Sequence, residues 1–390
     1  MKRFLTILAT LCVLAACGGQ KKAVQKAQGS TNPGNIPSTA SAVIPDAPTV
    51  YFTSDISPEG LVKIYEALGV KASGRVGVKI STGESSKSNH LRPAFIKDLV
   101  DKVGGTLIEC NTAYGGNRMS TADHRKAIAE RGFDQIAKVD IMDEEGEMQI
   151  PVVDKKHIQY DIVGTHIANY DFVINLAHFK GHAMGGFGGV LKNQSIGFAS
   201  THGKFYIHSA GESSSHWITA EQDAFLESMA AAAQAVHNYF KQEGRDIVYI
   251  NVMNNLSIDC DCDGHPSTPQ MKDIGILAST DPVALDKACL DLVFNHQNTS
   301  GDNASPLVSR IESLHGTHTV SYAEQLGLGC QQYTLIALSD ASSVTGTHAG
   351  SALRYNVYSL DGKKLLTNAP SLDALAKGTY IINGQKRIIE

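Results

Sequence analysis

The chain predicts an α/β fold: a mostly parallel sheet flanked by helices, with a small β appendage at the C-terminus. Three observations predict it. Short β-branched runs alternate with stretches of helical period from Thr49 to about Leu338, and such alternation makes parallel strands joined by right-handed crossovers. The run Phe172 to Leu176 is apolar throughout, as a strand buried in such a sheet is. From about residue 341 the texture changes to short alternating runs, with turns at Asp361-Gly362, Lys377-Gly378 and Asn383-Gly384.

The elements follow in order. Thr49 to Thr53 is the first strand, and Ser57-Pro58 opens a helix through Ala67 that Gly69 ends. Arg75 to Ser81 is a second strand, and the polar loop Ser81 to Ser86 comes after it. Pro93 starts a helix whose buried stripe is Phe95, Ile96, Leu99, Val100 and Val103, and Gly104-Gly105 stops it. Thr106 to Cys110 is a third strand, and Ser120 with Asp123 resembles a capping box for a helix ending near Gly132. Residues 137 to 170 read as a β excursion. Thr219 to Phe240 is the longest helix, followed by strands at Asp246 to Val252 and Asp273 to Ala278. Asp281 caps a helix with Pro282 at its first position, running to about Phe294. Two short helices in 304 to 327 and a core strand at Tyr333 to Leu338 complete the domain.

The sequence has 390 residues. Residues 1–17 resemble a bacterial lipoprotein signal: basic Lys2 and Arg3, an apolar run from Phe4 to Val13, then Leu14-Ala15-Ala16-Cys17. That resemblance implies a lipidated Cys17, a membrane as partner and a place in the cell envelope. Residues 18–47 have the composition of a flexible tether. Residues 48–340 are expected to form the α/β domain and 341–390 the β module. The module resembles the C-terminal β modules of exported proteins of Bacteroidetes-type bacteria, which implies sorting or surface attachment. Net charge is −5 with no basic run past the tether, so nucleic acid is excluded as a partner. Past Cys12 and Cys17 five cysteines remain, Cys110, Cys260, Cys262, Cys289 and Cys330. An odd number argues against a full disulfide framework.

Candidate chemistry concentrates in two loops. Just past the apolar strand come His178, Lys180, His182 and Lys192-Asn193, with Gly181, Gly185, Gly186, Gly188 and Gly189 between them. Glycines at that density give up conformational entropy in exchange for sharp turns or close approach of the backbone to a ligand. Gly185, Gly186, Gly188 and Gly189 are therefore candidate cofactor contacts. His182 is the candidate ligand or general base, and His178 is either a second ligand or a hydrogen-bonded bystander. Lys192 is a candidate clamp for a carboxylate or phosphate, or an acid once desolvated, or else a solvated lysine at a helix start. Lys180 and Asn193 complete the catalytic candidates.

The second loop is Asp259-Cys260-Asp261-Cys262-Asp263-Gly264-His265. Cys260, Cys262 and His265 offer soft donors for zinc or iron. Two cysteines one residue apart do not readily close on each other, so the alternatives to metal are an Asp-rich solvated loop or a disulfide to a distant cysteine such as Cys330.

The motifs Asp171 to Leu176, Lys180, His182, Lys192-Asn193, Cys260-Asp261-Cys262, Asp273 to Ser279 and Asp281-Pro282-Val283-Ala284-Leu285-Asp286 resemble the domain-of-unknown-function family 362 over about residues 73 to 340. Members are labelled iron–sulfur-centre proteins, which implies an iron–sulfur cluster; this chain has no ferredoxin-like cysteine run. His182 to Lys192 also resembles the segment that carries a catalytic histidine and lysine in lactate-racemase-like nickel-pincer enzymes. Tyr114 to Arg118 stands where those have Gly-x-His-Arg, with Asn117 in place of the histidine. The implied cofactor is a transition metal, zinc, iron or nickel. The expected function is an anchored metal-binding enzyme acting on a small polar or anionic substrate, by redox or isomerase-like chemistry. The alternative is a non-catalytic ligand-binding or surface protein with a structural metal site.

Overall fold

Eight strands form the main sheet in the computed structural model, which describes residues 46–242, 244–338, 355–359, 364–369, 377–382 and 385–389. In chain order they are β1 (Thr49–Thr53), β2 (Val76–Lys79), β3 (Thr106–Glu109), β4 (Val139–Ile141), β7 (Phe172–His178), β10 (Asp246–Met253), β11 (Gly275–Ser279) and β12 (Thr334–Ala337). Between them β5 (Glu147–Pro151) pairs β6 (Tyr160–Gly164), and β8 (Lys180–His182) pairs β9 (Gly186–Gly188), each pair antiparallel. The helices are α1 (Pro58–Ala67), α2 (Pro93–Val103), α3 (Thr121–Arg131), α4 (Val190–Ser195), α5 (Thr201–His208), α6 (Gln222–Phe240), α7 (Pro282–Phe294), α8 (Ser305–Ser313) and α9 (Thr317–Gln325). Their starts obey local chemistry: Ser57, Ser120 and Asp281 accept from the amides of Gly60, Asp123 and Ala284.

The sheet order is β12-β1-β11-β10-β7-β2-β3-β4. Every neighbouring pair is parallel except those of β11, which runs antiparallel to both β1 and β10. The stretch from Asn254 to Ile274 contains no helix, and a parallel return needs a crossover. β7 is buried along its whole length. Its side chains alternate between two cores: Phe172, Ile174 and Leu176 face α1, α2 and α3, whereas Val173 and Ala177 face the core built on α4 to α9.

From β2 the chain steps outward to β3 and β4; from β7 it steps the other way to β10. The sheet therefore has its topological switch between β2 and β7, where open α/β sheets form a crevice at the carboxyl ends of the strands. Pairing of these strands ends at Lys79↔Asn175. Asn193 of α4 fills the split, donating to Asn175 Oδ1 at 2.7 Å, the Lys79 carbonyl at 3.3 Å and the Leu176 carbonyl at 3.4 Å.

Helix α4 has six residues and no side-chain cap of its own. Its first two amides, Val190 and Leu191, donate to the carboxylate of Asp286 at 2.9 and 3.0 Å, and Asn251 Nδ2 donates to the same group at 2.7 Å. A Cβ at Gly189 would lie 2.3 Å from Asp286 Oδ1, so only glycine admits this approach.

The chain divides into two units that part at residues 339 and 340. In the second, β13 (Tyr355–Tyr358), β14 (Lys364–Ala369), β15 (Gly378–Ile382) and β16 (Gln385–Ile389) form an antiparallel sheet of order β14-β13-β15-β16. The leader and almost all of the tether, and the turns at Asp361-Gly362 and Asn383-Gly384, lie outside the described residues. No described helix is long and apolar enough to cross a membrane.

Removing the Asp286 carboxylate strands two helix amides and a buried amide group. Asp286→Ala is expected to cost about 2–4 kcal/mol of unfolding free energy, since charged hydrogen bonds and orphaned buried donors each carry about 1–3 kcal/mol. Chemical denaturation checks it; a loss below about 0.5 kcal/mol, the size of an ordinary surface change, would contradict the anchoring role.

Candidate functional site

Above the switch point lies a cavity of about 260 Å³. Its floor is the carboxyl ends of β2, β3 and β7, with Lys79, Glu109 and Leu176 to His178 in its wall. The hairpin β8–β9 and α4 contribute Lys180, His182 and Lys192; α5 contributes Lys204 and His208; the loop after β10 contributes Cys260, Asp261 and Cys262. That loop is laced to the polar loop after β2. Glu84 N–H donates to the Asp261 carbonyl, Ser88 Oγ to the Asp263 carbonyl and Ser85 Oγ to the Gly264 carbonyl.

Five cationic side chains, Lys79, Lys180, Lys192, Lys204 and Arg118, share this wall with two carboxylates, Glu109 and Asp261. Both carboxylates are already committed. Asp261 accepts from His178 Nδ1 at 2.8 Å and Lys180 Nζ at 2.9 Å. Burial alone would raise its carboxyl; Lys180 and His178 outweigh burial and hold it well below the usual carboxylate range. Glu109 pairs Arg118 Nη1 at 2.7 Å and accepts from Thr82; against burial, Arg118 and His124 hold it far below its ordinary value.

The other amines have no carboxylate partner among the described residues. Lys79 Nζ donates to the Ile80 carbonyl at 2.7 Å and Asn193 Oδ1 at 3.1 Å, and Lys204 Nζ donates to the Ala199 carbonyl. Lys192 Nζ has no hydrogen-bond or ion-pair partner among the described residues. Burial lowers Lys192 from 10.5 to about 7, with Lys180 adding to the effect, and burial lowers Lys79 to about 8 in spite of Glu109.

The histidines have different duties. His182 Nδ1 accepts from the backbone amides of Met184 at 3.2 Å and Gly185 at 2.9 Å. Burial and then Lys192 keep the ring well below its usual value, so it is neutral and its proton sits on Nε2. His208 Nδ1 donates to the Lys204 carbonyl at 2.6 Å while its ring stacks on Phe225, and burial lowers it to about 3. It too is neutral, with the lone pair on Nε2. One ring thus offers a donor and the other an acceptor, the pairing that proton transfer requires.

The structure brings His182, Lys180, Lys192 and Asn193 to one place, and it gives several of them tasks that differ from the expectation. Asn193 is a positioning residue, its amide spent on β2 and β7. Lys180 is held by Asp261 and the His178 carbonyl. His178 ends β7 and stands outside the group of ligand atoms: its Nδ1 faces Asp261 and its Nε2 the Asn254 carbonyl at 2.6 Å. His265 is exposed and stands outside the cluster of ligand atoms formed by His182, Cys260 and Cys262. Gly188 and Gly189 line the cavity, but Gly185 and Gly186 do not. Gly186 instead has φ +77° and packs on Gly316.

Cys260, Cys262 and His182 place one ligand atom each within 4.8 Å of one another, a candidate metal-ligand group. Yet Cys260 is joined to Cys262 directly, and not to Cys330. The two Cα atoms are 5.3 Å apart, inside the range a disulfide spans, and Asp261 between them turns inward to His178 and Lys180. Sulfurs bonded to each other are not thiolate donors, so the site in this state does not fit zinc, iron, nickel or an iron–sulfur cluster.

Lys79, Glu109, Lys204 and His208 are not among the residues singled out from sequence, and Arg118 entered only through the likeness of its run to Gly-x-His-Arg. Lys79 and Glu109 carried a signal: each is a charge that closes a β-rich run, which is where an open sheet puts its ligands.

No protein of curated function matches the chain. Among solved structures it is similar to the lactate racemase apoprotein from Thermoanaerobacterium thermosaccharolyticum, at 13% identity and TM-score 0.37, over 62% of this chain and 56% of that one. It is also similar to a structural-genomics protein from Thermotoga maritima, at 11% identity and TM-score 0.35, over 69% of this chain and 58% of that one. The chain thus spans less than two thirds of either. The family model described as "Domain of unknown function (DUF362)" matches residues 76–291, more than half of the sequence, and the chain belongs to that family.

Proposed function

We propose that this chain is an enzyme of the cell envelope that binds a small anionic substrate in the cavity at the β2–β7 switch and moves a proton on it. One observation carries the reading: Lys192 presents its amine to the cavity with no partner among the described residues, while both nearby carboxylates are spent on other cations. A cavity built with surplus cations in low dielectric is stabilised by an anion that enters it. A carboxylate or phosphate fits the space and the charge, with Lys79, Lys192 and Lys204 as its contacts.

The proton chemistry follows from the two neutral imidazoles. His208 accepts at Nε2 and His182 donates from Nε2 toward developing negative charge. The motif Leu14-Ala15-Ala16-Cys17 supports anchorage through a lipid on Cys17. A transition metal at the His182–Cys260–Cys262 group is outside this mechanism, and no step depends on one.

Titration of the full chain with inorganic phosphate and with small carboxylates tests the anion site. Lys192→Met is expected to weaken the tightest of these by roughly tenfold or more, the worth of one charged hydrogen bond, and to raise the melting temperature, because an unpaired buried amine destabilises the fold. Unchanged affinity in the variant, or no anion binding by the parent, would overturn the reading. Separately, cells fed a radiolabelled fatty acid are expected to label the chain, and Cys17→Ser is expected to abolish the label; label that survives the substitution would refute lipidation at this residue.

A further inference from the structure

Binding an anion employs the amines and leaves the sulfur pair without a task. Cys260 and Cys262 stand in the cavity wall rather than across two distant segments. Their link closes a loop of a single intervening residue, too short to constrain an unfolded chain appreciably. A disulfide that stabilises little and faces a cavity is suited to being opened and closed.

The surroundings favour opening. Cys260 is 6% exposed whereas Cys262 is half-buried, so an incoming thiolate meets Cys262 Sγ first. Cys260 is then the leaving group, and its sulfur already accepts the Cys262 amide at 3.4 Å. Lys180 and Lys192 in the same wall favour the departing thiolate. Cys110 also lines the cavity, but its S–H donates to the Phe198 carbonyl, and it is not part of the ligand-atom group.

We propose that Cys260 and Cys262 are a redox couple that gates a soft-metal site: joined, they hold nothing, and as the dithiol they bind a soft divalent cation together with His182. The reductant is a small dithiol. Its first thiolate attacks Cys262 Sγ, the Cys260–Cys262 bond breaks, and Cys260 leaves as thiolate. Its second thiolate then attacks the mixed disulfide and releases Cys262. Two electrons pass from the dithiol, which ends as a cyclic disulfide, to the cysteine pair. A divalent cation that enters displaces the two thiol protons to water. It also takes the lone pair of one His182 ring nitrogen.

Cobalt(II) alone is the probe, because a sulfur-to-cobalt charge-transfer band reports thiolate ligands and the separate group of Asp140, Glu144 and His166 cannot produce it. The full chain is titrated as isolated, and again after treatment with dithiothreitol and its removal under nitrogen. The expected result is two additional reactive thiols and a new charge-transfer band only after reduction. Cys262→Ser is expected to lose the band, and His182→Gln to weaken cobalt binding by about tenfold or more. A band of equal strength before reduction, no band after it, or a band indifferent to either substitution would overturn the proposal. It stands apart from the anion reading, whose failure would show in the phosphate titration and not in cobalt uptake.

Discussion

One carboxylate decides where the chemistry stands. Asp286, on the helix that follows β11, receives the first two amides of α4 and the side chain of Asn251 on β10. A six-residue helix is far too short to hold itself together in water. Fixed at its start by Asp286 and pinned by Asn193 into the split between β2 and β7, it becomes a rigid mount. Lys192 stands one residue before Asn193, so the placement of the amine in the cavity follows from a hydrogen-bond network anchored at Asp286.

The cavity is electrostatically unfinished. Two charge pairs in its wall are complete, Asp261 with Lys180 and Glu109 with Arg118. Lys192 and Lys79 sit below their ordinary 10.5, at about 7 and about 8, chiefly through burial. Between those values and 10.5 the unfolded chain binds more protons at these groups than the folded one. Their contribution to stability therefore rises with pH across that window and is unfavourable below it. A protein that keeps such groups gives up stability, a cost that the proposed anion site accounts for.

Much of the fold was legible in the sequence because it rests on local patterns. Strand β7, helices α1, α2, α3 and α7 and their caps follow from apolar period, Ser or Asp before the first turn, and Pro or Gly at the ends. What was not legible depends on remote partners. Helix α4 needs Asp286, some ninety-five residues further on, and α5 is a short helix among loops. The reversed direction of β11 left only a faint trace, the lack of any helical pattern between Asn254 and Ile274. The site divides the same way. His182 and Lys192 were visible among their glycines, whereas Lys204 and His208 enter only because α5 folds over the cavity. The closure of Cys260 on Cys262 was not legible either: the spacing rule argued against it.

The measurement that tests the central claim most directly is proton uptake on anion binding. Calorimetric titration with phosphate or a small carboxylate at about pH 8, in buffers of different ionisation enthalpy, reads the protons exchanged. An amine held near 7 and another near 8 are partly neutral there and gain charge when the anion arrives. The protein is expected to take up protons, and affinity to fall as pH rises from about 7 to about 9. Binding with no uptake by the protein, or with release from it, would contradict an anion site built on Lys192 and Lys79.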